Sequence, residues 1–408
     1  MPAKVVESWM RRDAGCWHVL RSPGERGKWD EFHIKEGALF KSEQSLRLKG
    51  YCLDILERNL AFALNFCNFA HILMKAIHEL YPLLGTPRRV VITTHQKPDV
   101  DAMGSSLALY HVLVQLGHEV SVISPTNWAG WLNWMPGVNI VIDFELNREK
   151  VAGILKETAW LFCLDFNIFH RAKNLAPLLA EAACTKILID HHQEPDSANF
   201  EYGISNTGKS STCEMIYDFI VESGNSDKID IKIADCLYAG VMADTGSFRF
   251  PSASASVHRM VAFLKDKGLE HTRVHENVYD NFLENRMRFI GHVLLNRMEI
   301  SYEHNTALIS ISKKDLQRYQ IRTGDTEGLV NYPLSIQGIK LAALVIDRDE
   351  ERKWSFRSKG SFDVNTFARK HFEGGGHFNA SGGRSSDTLD NTVQHFIKVI
   401  KDYSSQLQ

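Results

Sequence analysis

The chain contains 408 residues, of which 44% are hydrophobic and 24% are charged, and its formal net charge is −2. These proportions are ordinary for a globular protein, and the length allows two or three domains with a sizeable core. The nearly balanced charge excludes the global basic field that binds long duplex nucleic acid, although it is compatible with a local pocket for a small anion.

The seven cysteines form no CxxC pair, and several lie inside apolar runs, as Cys163 does within residues 160–164. This pattern is typical of buried, reduced thiols in a cytosolic protein. The longest apolar stretch, from about Leu60 to Met74, is interrupted by polar residues and falls short of the roughly 20 apolar residues that span a bilayer. Because no cleavable signal pattern opens the chain, the sequence predicts a cytoplasmic protein with no membrane partner.

Residues 1–73 differ in pattern from the rest of the chain. The first forty residues show no sustained period, whereas a helical pattern extends from about Ser45 to Met74. Met74 opens a regular segment that leads directly into the first strand of the following domain. We therefore hypothesise that Met74 is the natural start and that residues 1–73 are an appended extension. The alternative is a genuine helical accessory segment.

From residue 88 onward, strand patterns alternate with helical patterns. A helical run over 105–116 is ended by Gly117, and another begins near residue 231 and ends at Asp244. This alternation favours βαβ units and a parallel sheet, so the predicted fold class is α/β. The predicted strands are 88–94, 119–123, 139–142, 160–166 and 185–190.

A second, smaller α/β unit is predicted to start near residue 298. Helical segments at about 253–267, 271–281 and 285–297 lead away from the first sheet towards it. The strands predicted for the second unit are 299–303, 306–312, 340–347 and 353–358, and its helices are 363–371 and 388–403. The predicted domain boundaries are therefore 74–284 for the first domain, 285–297 for a helical linker and 298–408 for the second domain.

Carboxylates and imidazoles follow two of the predicted strands of the first domain. His95, Asp99 and Asp101 come after the strand at 88–94, and the Asp190-His191-His192 triplet ends the strand at 185–190. The carboxyl ends of parallel strands meet at one edge of the sheet, where ligands bind. A mixed His/Asp set favours Mn²⁺ as the bound ion. The alternative for the first segment is a solvated loop whose aspartates cap the next helix.

Asp165 and Asp244 each end an element that should reach the same crevice, although either alone is equally typical of a turn or cap. Adjacent side chains of a strand face opposite ways, so one histidine of the triplet is expected to bind an ion while the other, His192, serves substrate or a proton. Two ions sharing a hydroxide suit hydrolysis of phosphate esters. The candidate metal ligands are His95, Asp99, Asp101, Asp165, His191 and Asp244.

A glycine run in the second unit, Gly374–Gly376, precedes His377. Such a run can present backbone N–H groups to an anion as a nest, although glycine-rich turns are common without that role. Arg357, next to Ser358, can grip a phosphate bidentately. Three tryptophans at 128, 131 and 134 are expected to pack between elements rather than to stack on bases.

Taken together, these motifs resemble the DHH phosphoesterase superfamily, which is named for the triplet at 190–192. The resemblance covers about residues 75–400, and the motif at 374–377 is similar to that of a DHHA1-type second domain. It implies a DHH catalytic domain at 74–284 and a DHHA1 substrate-binding domain at 298–408, with the active site in the cleft between them. As a compact two-domain member, the chain resembles the NrnA group of oligoribonucleases, which also dephosphorylate 3′-phosphoadenosine 5′-phosphate.

The resemblance also implies a role for each candidate residue. One Mn²⁺ would be bound by His95, Asp99 and Asp165. The other would be bound by Asp101, Asp165, His191 and Asp244, with Asp165 bridging and acting as a catalytic residue beside His192. The residues that would hold the terminal phosphate or nucleotide are Arg357, Ser358, Gly374, Gly375, Gly376 and His377.

The expected substrates are short single-stranded RNA, dinucleotides and small phosphorylated nucleotides, which would be hydrolysed to 5′-mononucleotides. One alternative is a phosphatase acting mainly on small phosphorylated metabolites, and another is a cyclic di-AMP phosphodiesterase. A non-catalytic nucleotide sensor is the alternative from another class, and the full set of ligands argues against it. The sequence leaves a homodimer open.

Overall fold

The computed structural model describes residues 74–348 and 351–408 and, before them, the backbone of three short strands. Residues 1–72 and 73–408 form two separate compact units. The strands of the first unit, β1 (Trp9–Asp13), β2 (Cys16–Arg21) and β3 (Asp30–Lys35), pair as an antiparallel sheet in that order. No sustained period in the sequence indicated this sheet, and the helix expected over residues 45–73 lies outside the described residues.

A seven-stranded parallel sheet forms the base of the first domain, which confirms the predicted α/β class. Its strands are β4 (Lys75–Ala76), β5 (Arg89–Thr93), β6 (Glu119–Ser124), β7 (Ile142–Asp143), β8 (Trp160–Leu164), β9 (Thr185–Asp190) and β10 (Tyr202–Ser205). Their order is β4-β10-β9-β8-β5-β6-β7. The order of the strands reverses between β5 and β8: β6 and β7 are added on one side of β5, and β8, β9 and β10 are added on the other. Ligands bind outside the carboxyl ends of the strands at such a point.

Helices cover both faces of this sheet and then lead to the second domain. They are α1 (Val100–Gln115), α2 (Arg148–Lys156), α3 (Ala176–Glu181), α4 (Thr212–Glu222), α5 (Ile231–Asp244), α6 (Ala255–Asp266), α7 (His271–Tyr279) and α8 (Glu284–Asn296). Helix α1 begins earlier than predicted because Asp99 caps it, and Gly117 follows it with φ +89° as expected of a helix stop. Among the described helices, none is long and apolar enough to cross a membrane.

The second domain is built on a six-stranded mixed sheet in the order β11-β12-β13-β14-β16-β15. Its strands are β11 (Met298–Ser301), β12 (Thr306–Ile311), β13 (Leu341–Asp347), β14 (Arg352–Ser358), β15 (Gly375–His377) and β16 (Ala380–Ser385). Its helices are α9 (Lys313–Arg318), α10 (Val364–His371) and α11 (Leu389–Ile400). The sequence analysis did not predict β15 and β16, in which Gly375 pairs with Gly382 in a tight hairpin.

Two glycines allow α1 and α5 to approach closely above the sheet. A Cβ on Gly104 would lie 2.5 Å from the carbonyl oxygen of Cys236, and one on Gly240 would lie 2.6 Å from Asp101 Oδ1. Asp101 is in the first turn of α1 and Asp244 is the last residue of α5. The glycine contacts therefore bring two candidate metal ligands from separate helices to the same end of the sheet.

Gly240→Ala should destabilise the chain by about 1–3 kcal/mol, because the added methyl group overpacks the contact between α1 and α5. Gly153→Ala is the matched control, because a methyl group added to this exposed glycine of α2 would meet no neighbouring heavy atom within 4 Å. That substitution should stabilise by about 0.5–1 kcal/mol. Urea unfolding of both variants measures the two effects, and equal stability of Gly240→Ala and the parent chain would contradict the close packing.

Candidate metal centre and active site

The loop between β5 and α1 presents His95 and Asp99. Asp99 Oδ1 accepts hydrogen bonds from the backbone N–H groups of Asp101 and Ala102, both at 3.1 Å. Asp99 Oδ2 lies 3.9 Å from His95 Nε2. The two oxygens of one carboxylate thus have different roles, one capping α1 and the other facing the imidazole. The capping role and the ligand role were alternatives in the sequence, and the structure accommodates both.

Asp101 is 1% exposed and points at the start of α4. Its Oδ2 accepts from the backbone N–H of Thr212 at 2.7 Å, and its Oδ1 accepts from that of Cys213 at 2.9 Å. The N-terminus of a helix is a favourable place for negative charge. Burial and then the neighbouring Asp165 carboxylate nevertheless raise the pKa of Asp101. The amides therefore orient this carboxylate, but they leave its charge incompletely balanced.

Asp165 lies between two groups of side chains. It directly follows β8 with φ +62°, a left-handed conformation that is uncommon outside glycine and costs backbone energy. Its Oδ2 is 3.3 Å from His95 Nε2, and its Oδ1 is 3.4 Å from His191 Nε2. The Thr212 hydroxyl also donates to Oδ1 at 3.0 Å. Although burial opposes ionisation, the two histidines hold the pKa of Asp165 well below its usual range.

His191 Nε2 is buried and has no hydrogen-bond partner among the described residues. It is 3.4 Å from Asp244 Oδ2 and 3.8 Å from Asp101 Oδ2. Burial favours the neutral ring, yet the surrounding carboxylates raise the pKa of His191 to about 10. Burial and then Asp101 raise the pKa of Asp244 well above its ordinary value. A buried ring nitrogen without a hydrogen-bond partner that faces three carboxylates fits a divalent cation. Such a cation would bind the nitrogen and balance the charge of the carboxylates.

The six predicted metal ligands come together as two neighbouring groups. The ligand atoms of His95, Asp99 and Asp165 all lie within 4.8 Å of one another. The same holds for Asp101, His191 and Asp244. The two oxygens of the Asp165 carboxylate face different groups, one towards His95 and the other towards His191.

His192 lies beside these groups, with its Nδ1 3.8 Å from Asp165 Oδ1, and it is held by Asp190, which is fully buried. His192 Nδ1 lies 2.7 Å from Asp190 Oδ1, and the His192 backbone N–H donates to Oδ2 at 3.0 Å. Its ring stacks on that of His377 with the centroids 4.4 Å apart. Burial and then the charge of Arg171 lower the pKa of His192. The structure thus presents an oriented imidazole beside the two ligand groups.

Two of the three glycines before His377 use their backbone N–H groups within the second domain. The N–H of Gly374 donates to a carbonyl of α10 at 3.2 Å, and that of Gly376 donates to Asn365 Oδ1 at 2.9 Å. A Cβ on Gly374 would lie 2.7 Å from the Cα of Gly383. These glycines are needed because the strand runs close to its neighbours, and the strand delivers His377 to the site.

Two polar residues, Arg357 and Ser358, end β14 and Lys359 follows them; of the three, Arg357 interacts with a candidate metal ligand. Its charge is close enough to Asp244 and Glu327 to interact with both, and burial lowers the pKa of Arg357. The Ser358 hydroxyl is buried and donates to a carbonyl of its own domain at 2.7 Å. Lys359 bonds to a backbone carbonyl elsewhere in the domain. The structure therefore does not bring Ser358 into contact with the metal ligands.

Sequence reasoning missed Thr212, Arg171 and Asn365. Thr212 was within reach, because the Ser211-x-x-Glu214 pattern locates the first turn of α4 and Ser211 caps it. Arg171 follows β8, and its charge lowers the pKa of His377 as well as that of His192. No local pattern marks Arg171 or Asn365, because their positions depend on contacts between distant segments.

Comparisons with known proteins agree with this architecture. Residues 89–241 match the DHH family N-terminal domain, and residues 307–406 match the DHHA1 domain. The Bacillus subtilis bifunctional oligoribonuclease and PAP phosphatase NrnA is 26% identical over 80% of this chain and 99% of its own length. The protein of the same name from Thermus thermophilus is 25% identical over 81% of this chain and 94% of its own length.

A solved structure extends the likeness to the whole two-domain unit. An exopolyphosphatase-related protein from Bacteroides fragilis superposes with a TM-score of 0.77 at 34% identity, covering 81% of this chain and 97% of that one. The similarity thus spans both sheets and the candidate site between them. The chain belongs to the DHH family, with a DHH domain followed by a DHHA1 domain, and it is a phosphoric ester hydrolase.

Proposed function

We propose that the chain hydrolyses short oligoribonucleotides and dinucleotides to 5′-mononucleotides and also dephosphorylates 3′-phosphoadenosine 5′-phosphate. The similarity to the bifunctional oligoribonuclease and PAP phosphatase NrnA from Bacillus subtilis and from Thermus thermophilus supports these substrates. The observation that carries the mechanism is the position of Asp165, whose two oxygens face two separate ligand groups 3.3 Å and 3.4 Å away. This is the arrangement expected of a bridging carboxylate in a two-metal phosphoesterase.

Two Mn²⁺ ions are the proposed cofactors, because the ligand set mixes imidazole nitrogens with carboxylate oxygens. His95 and Asp99 would hold one ion, and Asp101, His191 and Asp244 would hold the other, with Asp165 shared. When bound, such ions supply a hydroxide near neutral pH and neutralise charge on the phosphate.

The protein's own groups then orient the substrate and handle protons. Asp190 fixes the His192 ring through Nδ1, which leaves the other ring nitrogen to hold or release a proton near the scissile phosphate. Arg357 is proposed to bind a second phosphate from the DHHA1 side, and His377 closes the site over His192. Ser358 has a supporting part, because its hydroxyl accepts a hydrogen bond from Asn379 at 2.8 Å.

The substrate class is tested with the purified full chain and Mn²⁺. Labelled RNA of two to five nucleotides, 3′-phosphoadenosine 5′-phosphate and cyclic di-AMP are offered separately, and products are resolved by chromatography. We expect 5′-mononucleotides from the shortest RNAs and adenosine monophosphate from the bisphosphorylated nucleotide. Turnover of cyclic di-AMP alone would replace the proposed substrate class, and turnover of none of the three would contradict the enzymatic proposal.

Replacing Asp165 tests the bridging role. Asp165→Ala should lower kcat/KM by more than about 10³-fold, because both ions lose a shared ligand. Asp165→Asn, which tolerates the left-handed backbone, should lose activity as well. Metal content measured by mass spectrometry should fall for both ions.

Asp143→Asn is the matched control for this experiment. Asp143 also ends a strand of the same sheet, but its carboxylate accepts from the backbone N–H of Glu145 at 2.9 Å and belongs to neither ligand group. We expect normal activity and metal content in this variant. Near-normal activity of Asp165→Asn with both ions retained would contradict the bridging assignment.

Arg357→Ala should raise KM by about 10- to 100-fold, because a charged bidentate contact to phosphate is lost. The value of kcat should change less than KM, since Arg357 is not itself one of the proposed metal ligands. Lys359→Ala is the control, because Lys359 already bonds within its own domain. Steady-state kinetics on a dinucleotide measure the split, and a loss confined to kcat would place Arg357 at the reacting phosphate instead.

A further inference from the structure

The two residues that follow the DHH triplet reach across to the second domain. Gln193 Oε1 accepts a hydrogen bond from Asn365 Nδ2 at 2.6 Å. Glu194 Oε2 lies 2.8 Å from Arg369 Nη1. Asn365 and Arg369 are four residues apart on α10, so both contacts use one face of that helix. Adjacent residues of the DHH domain thus meet adjacent positions of a single helix in the DHHA1 domain.

Asn365 bonds in three directions and is 4% exposed. While its Nδ2 reaches Gln193, its Oδ1 accepts from the Gly376 N–H at 2.9 Å and from Arg369 Nε at 3.1 Å. The buried amide therefore uses both ends of its polar group, as a buried polar network requires. Gly376 directly precedes His377, so one side chain joins the DHH loop to the strand that carries the histidine.

The DHH side of this contact is itself held rigidly. Asn167 Nδ2 donates to the carbonyl oxygen of Gln193 at 2.6 Å and to that of Glu194 at 3.3 Å. Glu194 adopts φ +56°, a conformation that is maintained only when its surroundings fix it. Asn167 lies two residues after Asp165. The contacts therefore run without interruption from the end of β8 to the second domain.

His377, which follows Gly376 at the end of these contacts, packs against both histidines of the triplet. Its ring centroid is 4.4 Å from that of His192 and 4.5 Å from that of His191. The ion pair between Glu194 and Arg369 is largely exposed and contributes little by itself. The shielded amide contact of Asn365 is the part that can set the position of His377.

We propose that Gln193, Glu194, Asn365 and Arg369 form an interdomain clasp in which Asn365 is a positioning residue for His377. The clasp holds the cleft closed and fixes the imidazole of His377 over His192. The kinetic consequence rests on the proposed function, whereas the structural consequence does not. Asn365 bonds to none of the proposed metal ligands and not to Arg357, and its link to His377 is the bond to the N–H of Gly376.

The first test removes the amide contacts of the clasp, and at position 365 it does so with little change in the size of the side chain. In the full chain, Asn365→Leu deletes all three bonds of Asn365, and Gln193→Ala deletes only the hydrogen bond between Asn365 and Gln193. We expect faster amide hydrogen exchange at 375–377 in both variants and kcat/KM lowered by about tenfold for Asn365→Leu, mainly through kcat. Thr366→Ala is the control, because this exposed neighbour on α10 bonds only to Asp363.

The second test uses rescue and charge repulsion at the 2.6 Å contact. Asn365→Asp keeps an acceptor for Gly376 and can accept from Gln193 once that amide rotates, so its kinetics should stay within about threefold of the parent. Gln193→Glu should likewise be tolerated, because Asn365 still donates to it. The double variant sets two carboxylates against each other and should fall about tenfold below the product of the single effects.

The outcomes separate the clasp from the proposed function. Unchanged amide exchange in Asn365→Leu, or additive effects in the double variant, would overturn the clasp. If the parent chain turns over no nucleotide, the exchange measurement still decides the clasp by itself. A folded Gln193→Ala variant with the exchange rates of the parent would overturn it even if Asn365→Leu failed to fold.

Discussion

The site depends on one shared carboxylate, that of Asp165, which must face two ligand groups at once. Three features fix its position: the end of β8, a left-handed backbone and the hydroxyl of Thr212 at 3.0 Å. The groups on either side come from other elements, so their spacing depends on packing. The close approach of α1 and α5 at Gly104 and Gly240 is what allows one group to form beside the other.

Charge follows from the same geometry. Several carboxylates converge where water is scarce, so burial and mutual repulsion raise the pKa of Asp101 and of Asp244, whereas the histidines hold that of Asp165 low. A protein gains no stability from crowding acids in this way, because each uncompensated buried charge is costly. The arrangement makes physical sense as a site for cations, and the orphaned Nε2 of His191 points to the same conclusion.

Local sequence predicted the parts of the site that lie at the ends of regular elements. Strands of β-branched residues followed by His95, Asp165 or His191 are visible in the chain without any structure. The hairpin at 375–385 was missed because glycine has little strand propensity, and only its fit between neighbouring strands makes it form. Asn365 was beyond reach, since its partner Gln193 lies 172 residues away in the sequence.

The distribution of positive charge distinguishes the two sides of the cleft. His192 and His377 are stacked, and burial lowers the pKa of both rings. Two arginines carry positive charge near the site: Arg171, whose charge acts on these histidines, and Arg357, which interacts with Asp244 and Glu327. A substrate with one phosphate at the metal ligands leaves Arg357 facing only protein carboxylates. The substrates proposed above carry a second phosphate that Arg357 would meet, and this is the physical reason for proposing dinucleotides and bisphosphorylated nucleotides rather than simple phosphate esters.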